Sequence, residues 1–147
     1  MASKNKIFSE VEGKLYDYNN MKGKLNSYKI DLEYLKSDYE GTKGKSYTNI
    51  SSKTNNFYSS VEYELVRKEE KIRDLKLKII QTDMQIKKID NSLLMLSYEE
   101  LELVKFRYFS NRAIAPSWID VSERLGYSEK TCRNMRDRII NKIKDLI

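Results

Sequence analysis

The sequence predicts an all-α protein: a long antiparallel helical hairpin paired as a coiled coil, then a small C-terminal helix-turn-helix domain. Three observations predict it. Charged residues make up 34% of the chain and there is a single Pro, which favours long solvated helices over a mixed fold. Apolar residues recur at alternating steps of three and four over most of the length. The C-terminal stretch from Trp118 onward carries paired helix stop and start signals. The hairpin is expected over 1–96, with a loop at 41–56, and the helix-turn-helix domain over 97–147.

The first helix is expected from about Asn5 to Glu40. Phe8, Val11, Leu15 and Tyr18 step by three and four, and Met21, Leu25, Tyr28, Leu32, Leu35 and Tyr39 continue the series. Leu15, Tyr18 and Met21 make two successive steps of three, the signature of a stammer, where the seam should be overwound. Gly13 and Gly23 each weaken this helix by about 1 kcal/mol relative to Ala. Its tyrosines (Tyr16, Tyr18, Tyr28, Tyr34, Tyr39) suit core and boundary positions. From Gly41 to Asn56, small and polar residues with Lys43, Lys45 and Lys53 read as a loop that connects the helices or touches a partner.

The second helix is expected from about Phe57 to Leu96. Tyr58, Val61, Leu65, Ile72, Leu75, Ile79, Ile86, Ile89, Leu93 and Leu96 hold the coiled-coil period, with Lys68 and Thr82 as interruptions. Two helices of similar length joined by a polar loop pair antiparallel, each covering the other's stripe.

Ser97-Tyr98-Glu99-Glu100 has capping-box form, with Ser97 as cap and Glu100 reaching back. The following helix should bury Leu101, Val104 and Tyr108, with Leu103 and Phe106 widening the face. Ser110 to Ala115 reads as a turn, and Pro116 halts the chain before it. Ser117 with Asp120 caps the helix containing Trp118, which should anchor the three-helix core. Val121 and Leu125 share a face, and small Ser122 allows close approach of the next helix. Gly126 suits the left-handed position that ends a helix, and Ser128 caps the next.

In that last helix Cys132, Met135, Ile139, Ile143 and Leu146 form an apolar stripe. The opposite face carries Lys130, Arg133, Asn134, Asp137, Arg138 and Asn141. The forked side chains of Arg and Asn fit guanine and adenine edges in the major groove. A recognition helix places such residues near its N-terminus. Between Ser128 and Lys144 stand six basic residues (Lys130, Arg133, Arg136, Arg138, Lys142, Lys144) and two acidic ones (Glu129, Asp137). That local excess, within a net charge of +6, suits a phosphate backbone. The candidate DNA-contacting set is Ser128, Glu129, Lys130, Thr131, Arg133, Asn134, Asp137, Arg138 and Lys142.

Other classes find little support. The chain has no His, and its one Cys, Cys132, lies on the apolar stripe, so no nucleophile–base pair, zinc set or intrachain disulfide is available. Neighbouring carboxylates such as Glu69-Glu70 lie on helix surfaces and serve solubility. The expectation is no enzyme, no metal and no cofactor. No cleavable leader or bilayer-length apolar run is visible, so no membrane partner is expected and a cytoplasmic location, in a bacterial host cell, is.

Leu96 to Phe109 (LSYEELELVKFRYF), Ser117-Trp118-Ile119, Leu125-Gly126-Tyr127-Ser128 and Arg133 to Arg138 (RNMRDR) together resemble the phage late-gene transcriptional regulators of the ArpU and RinA type. Leu35-Lys36-Ser37-Asp38-Tyr39 before a Gly- and Ser-rich stretch is similar too. The last third also resembles the promoter-reading C-terminal domain of sigma factors. In that likeness Ser128 matches the capping residue, Arg133 and Asn134 match a base-reading Arg-Gln pair, and Glu129 and Lys130 match DNA-contacting positions of different type. The turn from Ser110 to Pro116 is longer than in that family, and Ser122 stands for a commoner Ala. Nothing resembles the promoter-melting domain. The resemblance implies double-stranded DNA as partner, with RNA polymerase alongside, and an activator or repressor role. The alternative is a structural adaptor whose coiled coil binds a protein such as a polymerase or packaging component. Helix-turn-helix proteins often dimerise to read two half-sites, so a homodimer is an expectation that competes with a self-closed monomer.

Overall fold

A computed structural model describes the backbone of residues 2–48 and 55–147, and the side chains of residues 3–42 and 60–147. The protein is all-α. Five helices follow one another among the described residues: α1 (Ala2–Thr48), α2 (Asn55–Leu93), α3 (Tyr98–Arg107), α4 (Trp118–Leu125) and α5 (Glu129–Ile143). They form two compact units. Unit 1 comprises Met1–Lys22 and Met84–Ile147, and unit 2 comprises Gly23–Asp83. The boundary expected at 96/97 falls inside unit 1, so the ends of the long helices share a unit with α3, α4 and α5.

In unit 2, α1 and α2 pair antiparallel. Tyr28 meets Lys78, whose ammonium lies 5.9 Å from the ring centroid, and Tyr39 donates to Glu69 Oε1 at 2.7 Å. Lys68, an interruption of the apolar series, is answered in kind. It pairs with Asp38 at 2.9 Å and Glu64 at 3.1 Å and hydrogen-bonds Thr42. The Asp38 bond holds the Lys68 ammonium above its ordinary range, against the opposing effect of burial.

This network also explains a departure from the expected loop. The series of small and polar residues suggested that α1 ends at Glu40, yet the helix runs on through Thr48 and α2 begins at Asn55, two residues early. Thr42 is buried and its hydroxyl donates back to the Asp38 carbonyl at 3.1 Å, so the seam continues past Gly41. A glycine weakens a helix by about 1 kcal/mol but does not end one unless the chain turns left-handed there. Among the described residues only Gly126 has positive φ. The rest of the expected loop, residues 49–54, and the side chains of Lys43, Lys45 and Lys53 lie outside the described residues.

Unit 1 holds the deep core. Val11, Leu15, Tyr18 and Met21 of α1, Ile86 and Ile89 of α2, and Leu103, Val104, Tyr108, Val121, Cys132, Met135, Ile139, Ile140 and Ile143 are all buried. Tyr18 stacks on Phe109 with centroids 4.3 Å apart, and its hydroxyl bonds Asp90 of α2. The α2 helix stops at Leu93, three residues short of Leu96, in a tight turn where Met95 N–H donates to Ser92 carbonyl at 3.1 Å. Three expected core assignments shift. Leu101 is only half-buried while Leu103 is fully buried, because α3 packs on both α4 and α5. Leu146 is exposed, and Ile140 takes its place in the core with no accessible surface.

Candidate nucleic-acid interface

The site is built from α4, its turn and α5. Ser117 accepts from Asp120 N–H at 3.2 Å, and Asp120 Oδ2 accepts from Ser117 N–H at 2.9 Å, closing a full capping box. At the other end Gly126 adopts φ 76°, ψ 20°, and its N–H donates to the Ser122 carbonyl at 2.9 Å. That left-handed position suits Gly, since a Cβ there would be strained. Ser122 does more than stay small: its hydroxyl donates to the Tyr127 carbonyl at 2.6 Å and fixes the turn. Ser128 then opens α5 by accepting from Thr131 N–H at 3.2 Å. Its hydroxyl also lies 2.9 Å from that of Thr131, so both are engaged in the cap.

The buried stripe of α5 sets what faces outward. Cys132, Met135, Ile139 and Ile143 turn inward, so 3.6 residues per turn brings Lys130, Asn134, Arg138 and Asn141 to the far side. All four are exposed, as are Ser128, Glu129 and Arg133. Arg133 is loosely tied to Glu129 at 4.0 Å, with both side chains about half accessible, a contact of little energetic weight in water. Lys130, Asn134 and Arg138 have no side-chain partner among the described residues.

Other members of the expected set are committed within unit 1. Thr131 is half-buried in the cap. Asp137 accepts from Arg136 Nε at 2.9 Å. Lys142 donates to Glu100 Oε1 at 2.5 Å, so a phosphate contact from Lys142 would have to compete with that pair. Burial of Glu100 opposes its charge, but the bonds from Lys142 and Ser97 outweigh it and hold the carboxyl below its ordinary range. Ser97 caps α3 as expected, accepting from the Glu100 N–H at 3.3 Å, while the Glu100 carboxylate also takes Lys142. Cys132 is fully buried, and that burial raises its thiol pKa, as befits a core residue.

Several residues that position α3 and α5 gave no local signal. Glu12 of α1 accepts from the Tyr108 hydroxyl at 3.0 Å and lies 3.5 Å from Arg136. Asn19 donates to the Phe109 carbonyl at 2.7 Å. Burial raises the Tyr108 hydroxyl pKa far above its usual value, with Glu12 adding to it, so this phenol stays a donor. Trp118, expected as the core anchor, is half-buried. Arg107 lies 4.0 Å and Arg136 5.3 Å from its ring centroid, so it bears a pair of guanidiniums on its surface. Arg112 and Arg124, outside the expected set, are exposed cations over Phe106, at 5.5 and 5.8 Å.

Residues 7–145 match the family described as a protein of unknown function, DUF722. The chain belongs to that family. No curated protein and no solved structure shows a significant match to it. Within this member of DUF722, no group of His, Cys, Asp and Glu suited to a metal ion occurs among the described residues. No described helix is long and apolar enough to cross a membrane.

Proposed function

We propose that this DUF722 protein is a sequence-specific double-stranded DNA-binding transcriptional regulator, of the phage late-gene type, acting beside RNA polymerase. One observation carries the reading: a capped helix after a tight turn buries one stripe and presents Lys130, Arg133, Asn134 and Arg138 together on its open side. Arg133 and Asn134 read base edges in the major groove. Lys130, Arg138 and Lys144 neutralise phosphates, while Arg136 and Lys142 serve the fold. The link to late-gene control and to polymerase rests on the resemblance to the ArpU and RinA regulators. The proposal contains no catalytic step.

The test is selection of bound duplexes from a random pool by the full-length chain. An enriched, ungapped or half-site motif supports the reading. Recovery of no motif, with no salt-sensitive retention of any duplex, overturns it and leaves the adaptor role.

A further inference from the structure

The outer face of α2 in unit 2 has a pattern that the pairing with α1 does not use. Its seam residues toward α1 are Leu65, Lys68, Ile72, Leu75 and Ile79. Roughly 150° around the helix, at 3.6 residues per turn, runs a second series: Tyr63, Val66, Glu70, Arg73, Leu77 and Ile80. The four apolar members are 50 to 63% exposed. Glu70 and Arg73 make no ion pair within the chain among the described residues.

The series is complementary to its own reverse. Its steps are three, four, three, four, three, and its order is two apolar residues, an acid, a base, two apolar residues. An antiparallel copy laid against it sets Tyr63 on Ile80, Val66 on Leu77 and Glu70 on Arg73, in each half. A parallel copy would set Glu70 on Glu70 and Arg73 on Arg73. Alternating three and four steps are what two helices need to interlock, and a self-complementary patch is what a two-fold interface requires.

We propose that unit 2 docks on a second copy of this chain, α2 against α2 antiparallel, along this series. The contact spans about 26 Å at 1.5 Å rise per residue. Its apolar layers supply attraction, and the two symmetric Glu70–Arg73 pairs fix direction and register. The surface belongs to unit 2 alone and stands whether or not α5 reads DNA.

Sedimentation equilibrium of the full chain tests it, with far-UV circular dichroism to confirm that each variant keeps its helices. The wild type sediments as a dimer. Leu77→Asp weakens it by about a hundredfold, since a charge enters two apolar layers. Glu70→Arg alone, or Arg73→Glu alone, brings like charges face to face twice and weakens it by about tenfold. Combining Glu70→Arg with Arg73→Glu restores dimerisation, because every cross-pair is again opposite in sign. A monomeric wild type overturns the proposal and leaves the face to a different protein. So does a dimer indifferent to Leu77→Asp, or one that the combined exchange fails to restore.

Discussion

In unit 1, Leu15, Ile89 and Ile140 are closed off on every side, with 0 to 2% of their surface accessible. In unit 2, the seam residues Leu32, Leu35, Leu65, Ile72, Leu75 and Ile79 are only half-buried. The sequence pattern of the two is similar, and the difference lies in what covers it. Two helices side by side shield each side chain from one direction. A third layer is needed to remove the rest of the apolar surface from water, and in unit 1 the helices α3, α4 and α5 supply it. Unit 2 relies instead on polar ties such as Lys68–Asp38 and Tyr39–Glu69. Burial drives folding at roughly 25 cal/mol per Å² of apolar surface, so unit 1 should be the more resistant of the two.

The comparison is sharpened first by truncating its deepest residue. Ile140→Ala leaves a cavity in the core of unit 1, and chemical denaturation should show a loss of about 3 kcal/mol. A loss under about 1 kcal/mol would mean that the core of unit 1 is loosely packed. Next comes the polar junction inside the same unit. Glu12→Ala strands the buried Tyr108 hydroxyl and frees Arg136, at a cost of about 2 kcal/mol. Calorimetry should show the same loss in Tyr108→Phe combined with Glu12→Ala reduced by at least half, since no donor is then stranded.

Ile72→Ala in unit 2 should cost about 1 kcal/mol, because half of the side chain already faces water. Hydrogen exchange should quicken over 23–83 and leave 98–143 unchanged. Equal acceleration in both stretches would erase the distinction between the units.

The smallest effect is one of pH. The folded carboxyl of Glu100 titrates below its ordinary range, so its contribution is fully present above that range and is lost as pH falls through the folded value. Urea midpoints should therefore fall on acidification from neutrality, and less steeply in Glu100→Gln. Identical acid slopes would show that the Lys142–Glu100 contact adds nothing to stability.

What the sequence made legible was mostly local. Ser117 with Asp120, Gly126 and Ser128 sit within four residues of the groups they satisfy, so their spacing alone announces them. The stripe of α5 was legible for the same reason, apart from Ile140, which steps off the three–four series and is fully buried. The polar continuation of α1 was misread, because Gly41 and Gly44 are turn residues by composition and only Lys68, far along the chain, reveals why Thr42 lies in the seam. The same distance hid Glu12 and Asn19: their partners are about ninety residues away, and no period links them. Trp118, expected to anchor the three-helix core, is half-buried and its ring is a platform for Arg107 and Arg136. Within the candidate site, which cations are open and which are tied could not be read from one helix, since Glu100 and Glu12 come from others.

In the proposed role, Arg133 and Asn134 on the open side of α5 read bases. The most direct test is fluorescence anisotropy of the full chain on a duplex recovered by selection and on a scrambled one, with wild type and Arg133→Ala compared over a salt series. Arg133→Ala should lose about 2 kcal/mol on the selected duplex and little on the scrambled one, with the salt slope reduced by at most about one. Equal affinity for both duplexes in the wild type, or no change on removing Arg133, would contradict it.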